Sequence, residues 1–255
     1  MTIKGKLSRS SMGDMMPAHA EPLNFTTASF REVDQVTFTY RTDTDAAAAL
    51  LPADLEIDEN PLVSALFVSY GFSSVGPFRE FIQTISARFR GEQVGYVPHI
   101  YITNERGMLA GREREGLPKL LADIVFDMRP VTTEGLVTAR LSRPSDIVLA
   151  QGVFRPSELI GEISADTPTV GKLMGLRVVG SPVPRGPLAI CELVPSAIEY
   201  SSGEMWSGDG SLLLTGGSEL SPVHWLPVVG NVEATALRNA SFRVIRPTQT
   251  YPLGA

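Results

Sequence analysis

Val33-Asp-Gln-Val-Thr-Phe-Thr-Tyr40 sets the reading of the chain. Val36, Phe38 and Tyr40 alternate with Thr37 and Thr39, the two-residue period of a strand buried on one face. Thr42-Asp-Thr-Asp45 follows, then Ala46 to Leu51 and Pro52. Short side-chain oxygens cap a helix start, alanines propagate it and proline stops it, so a helix of about two turns is expected there. Working outward, strands are expected at Leu62 to Tyr70, Val97 to Thr103, Met108 to Arg112, Leu120 to Met128, Gly135 to Leu141 and Asp146 to Phe154. Leu173 to Val179, Leu188 to Val194 and Ala240 to Ile245 add further strands, with Gly, Pro, Asn and Asp between them. Spacings of roughly ten residues point to a mostly antiparallel barrel or sandwich. Further short helices are expected near Pro156 to Ile160 and near Ser221 to Leu226. Residues 1–24 lack any period and read as an irregular leader; no linker divides the rest, so 25–255 is expected to be one domain.

Composition bounds the function. The chain has 255 residues, 43% hydrophobic and 20% charged, the balance of a globular protein rather than a disordered or membrane one. A folded chain of this length buries roughly 70–75% of the surface its unfolded form exposes, enough for a core without staples. The formal charge of −6 speaks against a nucleic-acid partner, which needs a basic face. The single cysteine, Cys191, allows no internal disulfide and reads as a small buried hydrophobe. With His19, His99 and His224 far apart in sequence, no Cys/His metal site is expected. There is no long apolar run for a membrane span, and Lys4, Lys6 and Arg9 precede no apolar stretch of the kind that directs export. A cytoplasmic protein without membrane contact is expected. No glycine-rich phosphate loop occurs, so no nucleotide or organic cofactor is expected.

Only four of the 22 basic residues are lysines: Lys4, Lys6, Lys119 and Lys172. Lys119 stands at the mouth of Leu120-Leu-Ala-Asp-Ile-Val-Phe126, an apolar run interrupted only by Asp123. Burial disfavours a charged amine, so the pKa of such a lysine should fall. The alternative is a lysine whose stem lies on an apolar surface while its head reaches water.

Gly111-Arg-Glu-Arg-Glu-Gly-Leu-Pro-Lys119 leads into that run. Tyr40-Arg-Thr-Asp43 lies upstream; Ile190-Cys-Glu-Leu193, Trp206-Ser-Gly208, Leu226-Pro-Val228 and Tyr251-Pro252 lie downstream in that order. From about Phe30 to the C-terminus, this set resembles the acetoacetate decarboxylase superfamily. The resemblance implies an α+β fold, predominantly antiparallel β: a closed, cone-like double-layer sheet with a few short helices. It also implies that Lys119 forms a Schiff base with a ketone, for which the amine must be neutral. By position the family's glutamate falls on Glu80, a general acid/base; it could instead be a solvated carboxylate beside Arg79 and Arg88. The family's arginine falls on Arg31, whose planar fork suits a substrate carboxylate; it could instead pair with Glu32 or Asp34. The implied reaction is decarboxylation of a 3-oxo acid, without metal or cofactor, in a homo-oligomer.

Two positions depart from the decarboxylase pattern. A second lysine follows the nucleophile in that enzyme, whereas this chain has Leu120; a second glutamate is replaced by Leu66 or its neighbour Ala65. Some members of the superfamily are aldolase-dehydratases that join pyruvate to an aldehyde and eliminate water. Glu115 and Tyr251 are the candidate proton donors for the departing hydroxyl; Glu115 could instead be an exposed strand-end charge and Tyr251 a surface anchor of the tail. A strand continuing to Lys119 would turn 115, 117 and 119 to one side, unless Gly116 and Pro118 break the alternation. His99, preceding the strands that lead to Lys119, could line the pocket or simply pack in the core. A non-catalytic module that binds a small apolar acid, with Lys119 as counter-ion, is the third reading.

Overall fold

The computed structural model describes residues 2–21, 23, 28–128, 135–166 and 169–254. The elements run β1 (Ser29–Arg41), α1 (Thr44–Ala48), β2 (Leu62–Ser73), β3 (Phe78–Phe89), β4 (Glu92–Ile102) and α2 (Glu105–Glu115). Then come β5 (Lys119–Leu121), β6 (Asp123–Phe126), β7 (Val137–Ser142), β8 (Val148–Ile163), β9 (Thr169–Val179), β10 (Ile190–Leu214), β11 (Val229–Ile245) and β12 (Tyr251–Pro252).

The strands hydrogen-bond in the order β11-β1-β2-β3-β4-β9-β10-β8-β7-β6, and β10 also pairs with β11. That last pairing closes β1–β4, β9, β10 and β11 into a ring, the closure expected of a cone-like sheet. Pairing is antiparallel except for β4 with β5 and β4 with β9. The 25-residue β10 joins the layers: its first half pairs with β9 and its second half with β8. The larger core gathers Phe38, Phe67, Phe81, Phe126 and Phe154, all essentially without exposure. A smaller one, around Val33, Val68, Ile102 and Ala240, lies under β1, β2 and β11.

Most expected strands are present, several longer than their apolar signal. The expected helix is present but shorter and earlier than Ala46 to Leu51: α1 is Thr44–Ala48, with the Asp43 carboxylate accepting from the Ala46 N–H at 2.9 Å. The helix near Ser221 to Leu226 is a single 3-10 turn, Val223–Trp225.

Several expectations need correction. Cys191, expected to be buried, is only partly buried; Glu115 ends α2 rather than lying on a strand with Lys119; and the expected strand Leu120 to Met128 is divided into β5 and β6. Met108 to Arg112 is not a strand but the middle of α2. The Asn104 side chain caps that helix by accepting from the Gly107 N–H at 2.9 Å, and Gly116 ends it in the left-handed region at φ 65°, so both termini are satisfied. Pro156 to Ile160 is not a helix but part of β8, where Pro156, Glu158 and Leu159 pair with Gly208, Ser207 and Trp206 of β10. Proline is tolerated there because, among the described residues, the pairing of β7 with β8 ends at Phe154. Phe78–Phe89, for which no element was expected, is β3.

Within the leader, a 3-10 turn spans Arg9–Ser11, and Met15 and Leu23 are buried. The expected boundary at 24/25 falls outside the described residues.

Candidate active site

Lys119 opens the short strand β5, which lies parallel to β4 with Lys119 opposite Ile100. The turn from α2 places it there. Gly116 is required twice over: its φ is positive, and a Cβ would come within 2.8 Å of the Arg177 backbone nitrogen. The Leu117 N–H then returns to the Gly111 carbonyl at 3.0 Å. Arg112 Nη1 donates to the Lys119 carbonyl at 3.1 Å, tying the helix to the strand it precedes.

The Lys119 side chain runs inward over α2 and only 8% of the residue is exposed. Its ammonium donates to Glu80 Oε1 at 2.7 Å. The other oxygen, Oε2, accepts from the Tyr70 hydroxyl at 2.7 Å. Glu80 and Tyr70 come together because Tyr70 faces Phe78 across the β2–β3 ladder, which makes Glu80 its diagonal same-face neighbour. Glu80 is 3% exposed, so both carboxylate oxygens are served by buried donors. Burial, followed by the Glu80 charge, pushes the Tyr70 phenol well above its usual range; the hydroxyl therefore stays a donor.

These groups face a cavity of about 100 Å³. One water needs roughly 10–15 Å³ on this measure, so the space suits a small oxo acid. The wall is largely apolar, with Phe30, Phe78, Ile82, Ile100, Ile198 and Phe242. One face of α2 completes it: Gly107, Ala110, Gly111, Arg114 and Glu115 recur at three- and four-residue intervals. Glu115 is partly buried. Desolvation is the largest influence on its carboxyl and raises the pKa; the Lys119 charge opposes this and the Glu80 charge adds to it. Its place at the helix C-terminus disfavours the anion further.

Lys119, Glu80 and Glu115 thus line one cavity. Three other expected site residues lie elsewhere. Arg31 is exposed, its guanidinium 4.3 Å from the centre of the Phe72 ring. The strand's alternation turns Phe30 into the cavity and Arg31 away from it. His99 faces the opposite side of β4 from the cavity-lining Ile100, with Nδ1 2.9 Å from Gln83 Oε1. Gln83 in turn donates to the Tyr40 hydroxyl at 3.0 Å and the Val223 carbonyl at 3.2 Å. Burial, with the His224 charge second, lowers the His99 pKa to about 4. Tyr251, on β12 opposite Leu193, packs against Phe89 at 4.8 Å with the Arg90 guanidinium over its ring. Tyr70 and Arg246 line the cavity without belonging to any motif, and Arg114 lies within the Gly111–Lys119 segment without being singled out there; only strand register and helix phase turn these side chains to the cavity. Among the described residues, no group of three or more His, Cys, Asp or Glu is arranged to hold a metal, and no helix is long and apolar enough to cross a membrane.

Residues 15–250 match the family model described as acetoacetate decarboxylase. The chain is 31% identical over 243 residues to "Decarboxylase DEC1" of Cochliobolus heterostrophus, covering 94% of this chain and 95% of that protein. Among solved structures, one described as "Structural Studies of Acetoacetate Decarboxylase" superposes with a TM-score of 0.81 at 21% identity, over 98% of this chain and 100% of that one. A second, "Enduracididine biosynthesis enzyme MppR complexed with pyruvate", gives a TM-score of 0.70 at 22% identity, over 94% and 93% of the two chains.

Proposed function

The chain belongs to the acetoacetate decarboxylase family, and from that premise we propose that it is a carbon–carbon lyase that decarboxylates a small 3-oxo acid through an imine on Lys119. The observation that carries this reading is the buried Lys119 amine, 2.7 Å from Glu80 at the wall of an apolar cavity. An amine whose only duty was to pair with Glu80 would need no such space beside it.

The step sequence uses these groups. Lys119 passes a proton to Glu80 along their hydrogen bond, which replaces a buried ion pair with two neutral groups and eases desolvation. The free amine adds to the ketone carbon, giving a carbinolamine. A proton returned to the hydroxyl lets water leave, and the protonated imine forms. The electrons of the bond to the carboxylate carbon then flow toward the imine nitrogen as CO2 departs, leaving an enamine. Protonation of the enamine carbon and hydrolysis of the imine release the shortened ketone and restore Lys119. Tyr70 holds Glu80 Oε2 throughout, so Oε1 remains turned to the amine. Apolar walls favour the loss of charge as carboxylate becomes CO2.

A second reading is supported by Glu115, whose raised pKa suits a proton donor. In it the same lysine holds pyruvate as an enamine, attacks an aldehyde and loses water, with Glu115 protonating the departing hydroxyl. The likeness to a structure described with pyruvate bound is compatible with it. Borohydride reduction with acetoacetate or pyruvate tests the shared step: the expected result is an adduct mapped to Lys119. Binding without any adduct would leave a module that merely holds a small acid. CO2 release from 3-oxo acids then separates decarboxylase from aldolase, which gives an unsaturated product from pyruvate and an aldehyde.

A further inference from the structure

We propose that Arg114 is the residue that recognises the substrate's carboxylate, an inference that rests on the imine reading above. Arg114 lines the same cavity as Lys119, and four-fifths of its side chain is withdrawn from solvent. One edge of its guanidinium is spoken for: Nη2 donates to Glu21 Oε1 and, at 3.4 Å, to the Leu23 carbonyl. Nη1 is buried and finds no hydrogen-bond partner among the described residues. A buried, unpartnered nitrogen on a permanently charged group is expensive, and such groups persist where a partner is supplied by function.

Its placement suits that duty. The Lys119 amine lies 3.1 Å from where a Cβ would stand on Gly111. Residues three and four further along a helix have Cβ atoms about 5–6 Å away, so Arg114 and Glu115 flank the amine one turn on. A small oxo acid has its carboxylate one or two bonds from the ketone carbon, so a molecule bonded to Lys119 can reach the Arg114 fork. Glu21 and the Leu23 carbonyl hold the far edge, so these two residues help to position the Arg114 fork. Arg31, the position suggested by family resemblance, is occupied with Phe72 outside the cavity.

The test compares a charged and a neutral carbonyl on the full chain. Imine trapping is titrated with acetoacetate, with pyruvate and with acetone, which lacks a carboxylate. Arg114→Gln should raise the half-saturating concentration of both oxo acids by about 10–100-fold, the worth of one charged hydrogen bond, and leave acetone unchanged. Arg114→Lys, which keeps a cation beside Glu21 but loses the second edge, should show the same loss and guards against a misfolded glutamine variant. Equal losses for oxo acids and acetone would make Arg114 structural and overturn the inference, as would undiminished preference for the oxo acids in either variant. No adduct with any carbonyl in the unsubstituted protein would overturn the lyase reading and this inference together.

Discussion

Gly111 lies directly beneath the stem of Lys119: a Cβ built on the glycine would fall 2.6 Å from Lys119 Cδ and 3.1 Å from Nζ. The helix surrenders a side chain so that the amine can lie flat against it and reach Glu80. Gly111→Ala should therefore displace the amine from its partner. Alanine is the better helix former by about 1 kcal/mol, but its Cβ would overlap the Lys119 stem, and moving the amine off the buried Glu80 carboxylate outweighs that gain, so thermal stability should fall. A 1 Å misplacement of the lysine can cost about 100-fold in rate. Turnover and borohydride trapping should fall together with the melting temperature; an unchanged melting temperature would mean that the pair survives the substitution.

The Lys119–Glu80 pair predicts a particular pattern of stabilities. Lys119→Met leaves a buried carboxylate with only Tyr70 as partner, and breaking a buried pair on one side costs about 3–5 kcal/mol. The double variant Lys119→Met, Glu80→Leu should recover most of that loss, because no charge is then left unpaired. Urea unfolding at pH 7 of both single variants and the double gives the coupling directly. Additive losses would mean that the pair is not coupled in the folded protein.

Glu115 should reveal itself through pH. A carboxyl whose pKa is raised keeps its proton above the usual carboxylate range and loses it as pH climbs through the raised value. Any step that needs the acid form should therefore slow as pH rises, and Glu115→Gln should abolish that limb. General acid catalysis contributes about 100- to 10,000-fold, so the turnover of the glutamine variant should drop on that scale if Glu115 donates the proton. Trapping at Lys119 should persist, because imine formation with Glu80 as partner does not require it.

Outside the cavity, His99 makes the protein acid-sensitive. Its folded pKa is about 4, against about 6.5 unfolded. Between these values the unfolded chain binds the extra proton, so stability is full above about pH 6.5 and declines as pH falls toward 4, by on the order of 3 kcal/mol. Below that both states are protonated and the contribution is flat. Unfolding free energies from pH 4.5 to 7 should show a shallower acid slope for His99→Gln than for the unsubstituted chain.

How much of this was legible beforehand depends on which force sets each element. β1 and α1 announce themselves, because Val36, Phe38 and Tyr40 alternate and Asp43 precedes alanines. β3 hides because two of its inward positions, Glu80 and Gln83, are polar; both are buried for their hydrogen bonds, which breaks the apolar alternation. α2 hides for the opposite reason: Met108-Leu-Ala imitates a short strand, while the decisive signals are Asn104 and Gly116 at its ends. Lys119 was recognisable from its neighbours and Glu80 from family position. Tyr70 and Arg114 were not, since their roles come from strand register and helix phase, which only the assembled sheet determines. Arg31 and His99 each adjoin a cavity residue in sequence, and one step along a strand is enough to turn a side chain to the other face.

The stacking of Phe30 on Phe242, with ring centres 4.6 Å apart, joins the first strand to the last long one. A ribosome that has just finished residue 119 has made the amine but not its chamber, since wall residues from β10 and β11 are still to be synthesised. Contacts so distant along the chain make folding slow, because loop closure must precede its reward. Reactivity at this nitrogen should therefore switch on only after synthesis is nearly complete, and nascent chains halted before β11 should carry an ordinary, inert lysine.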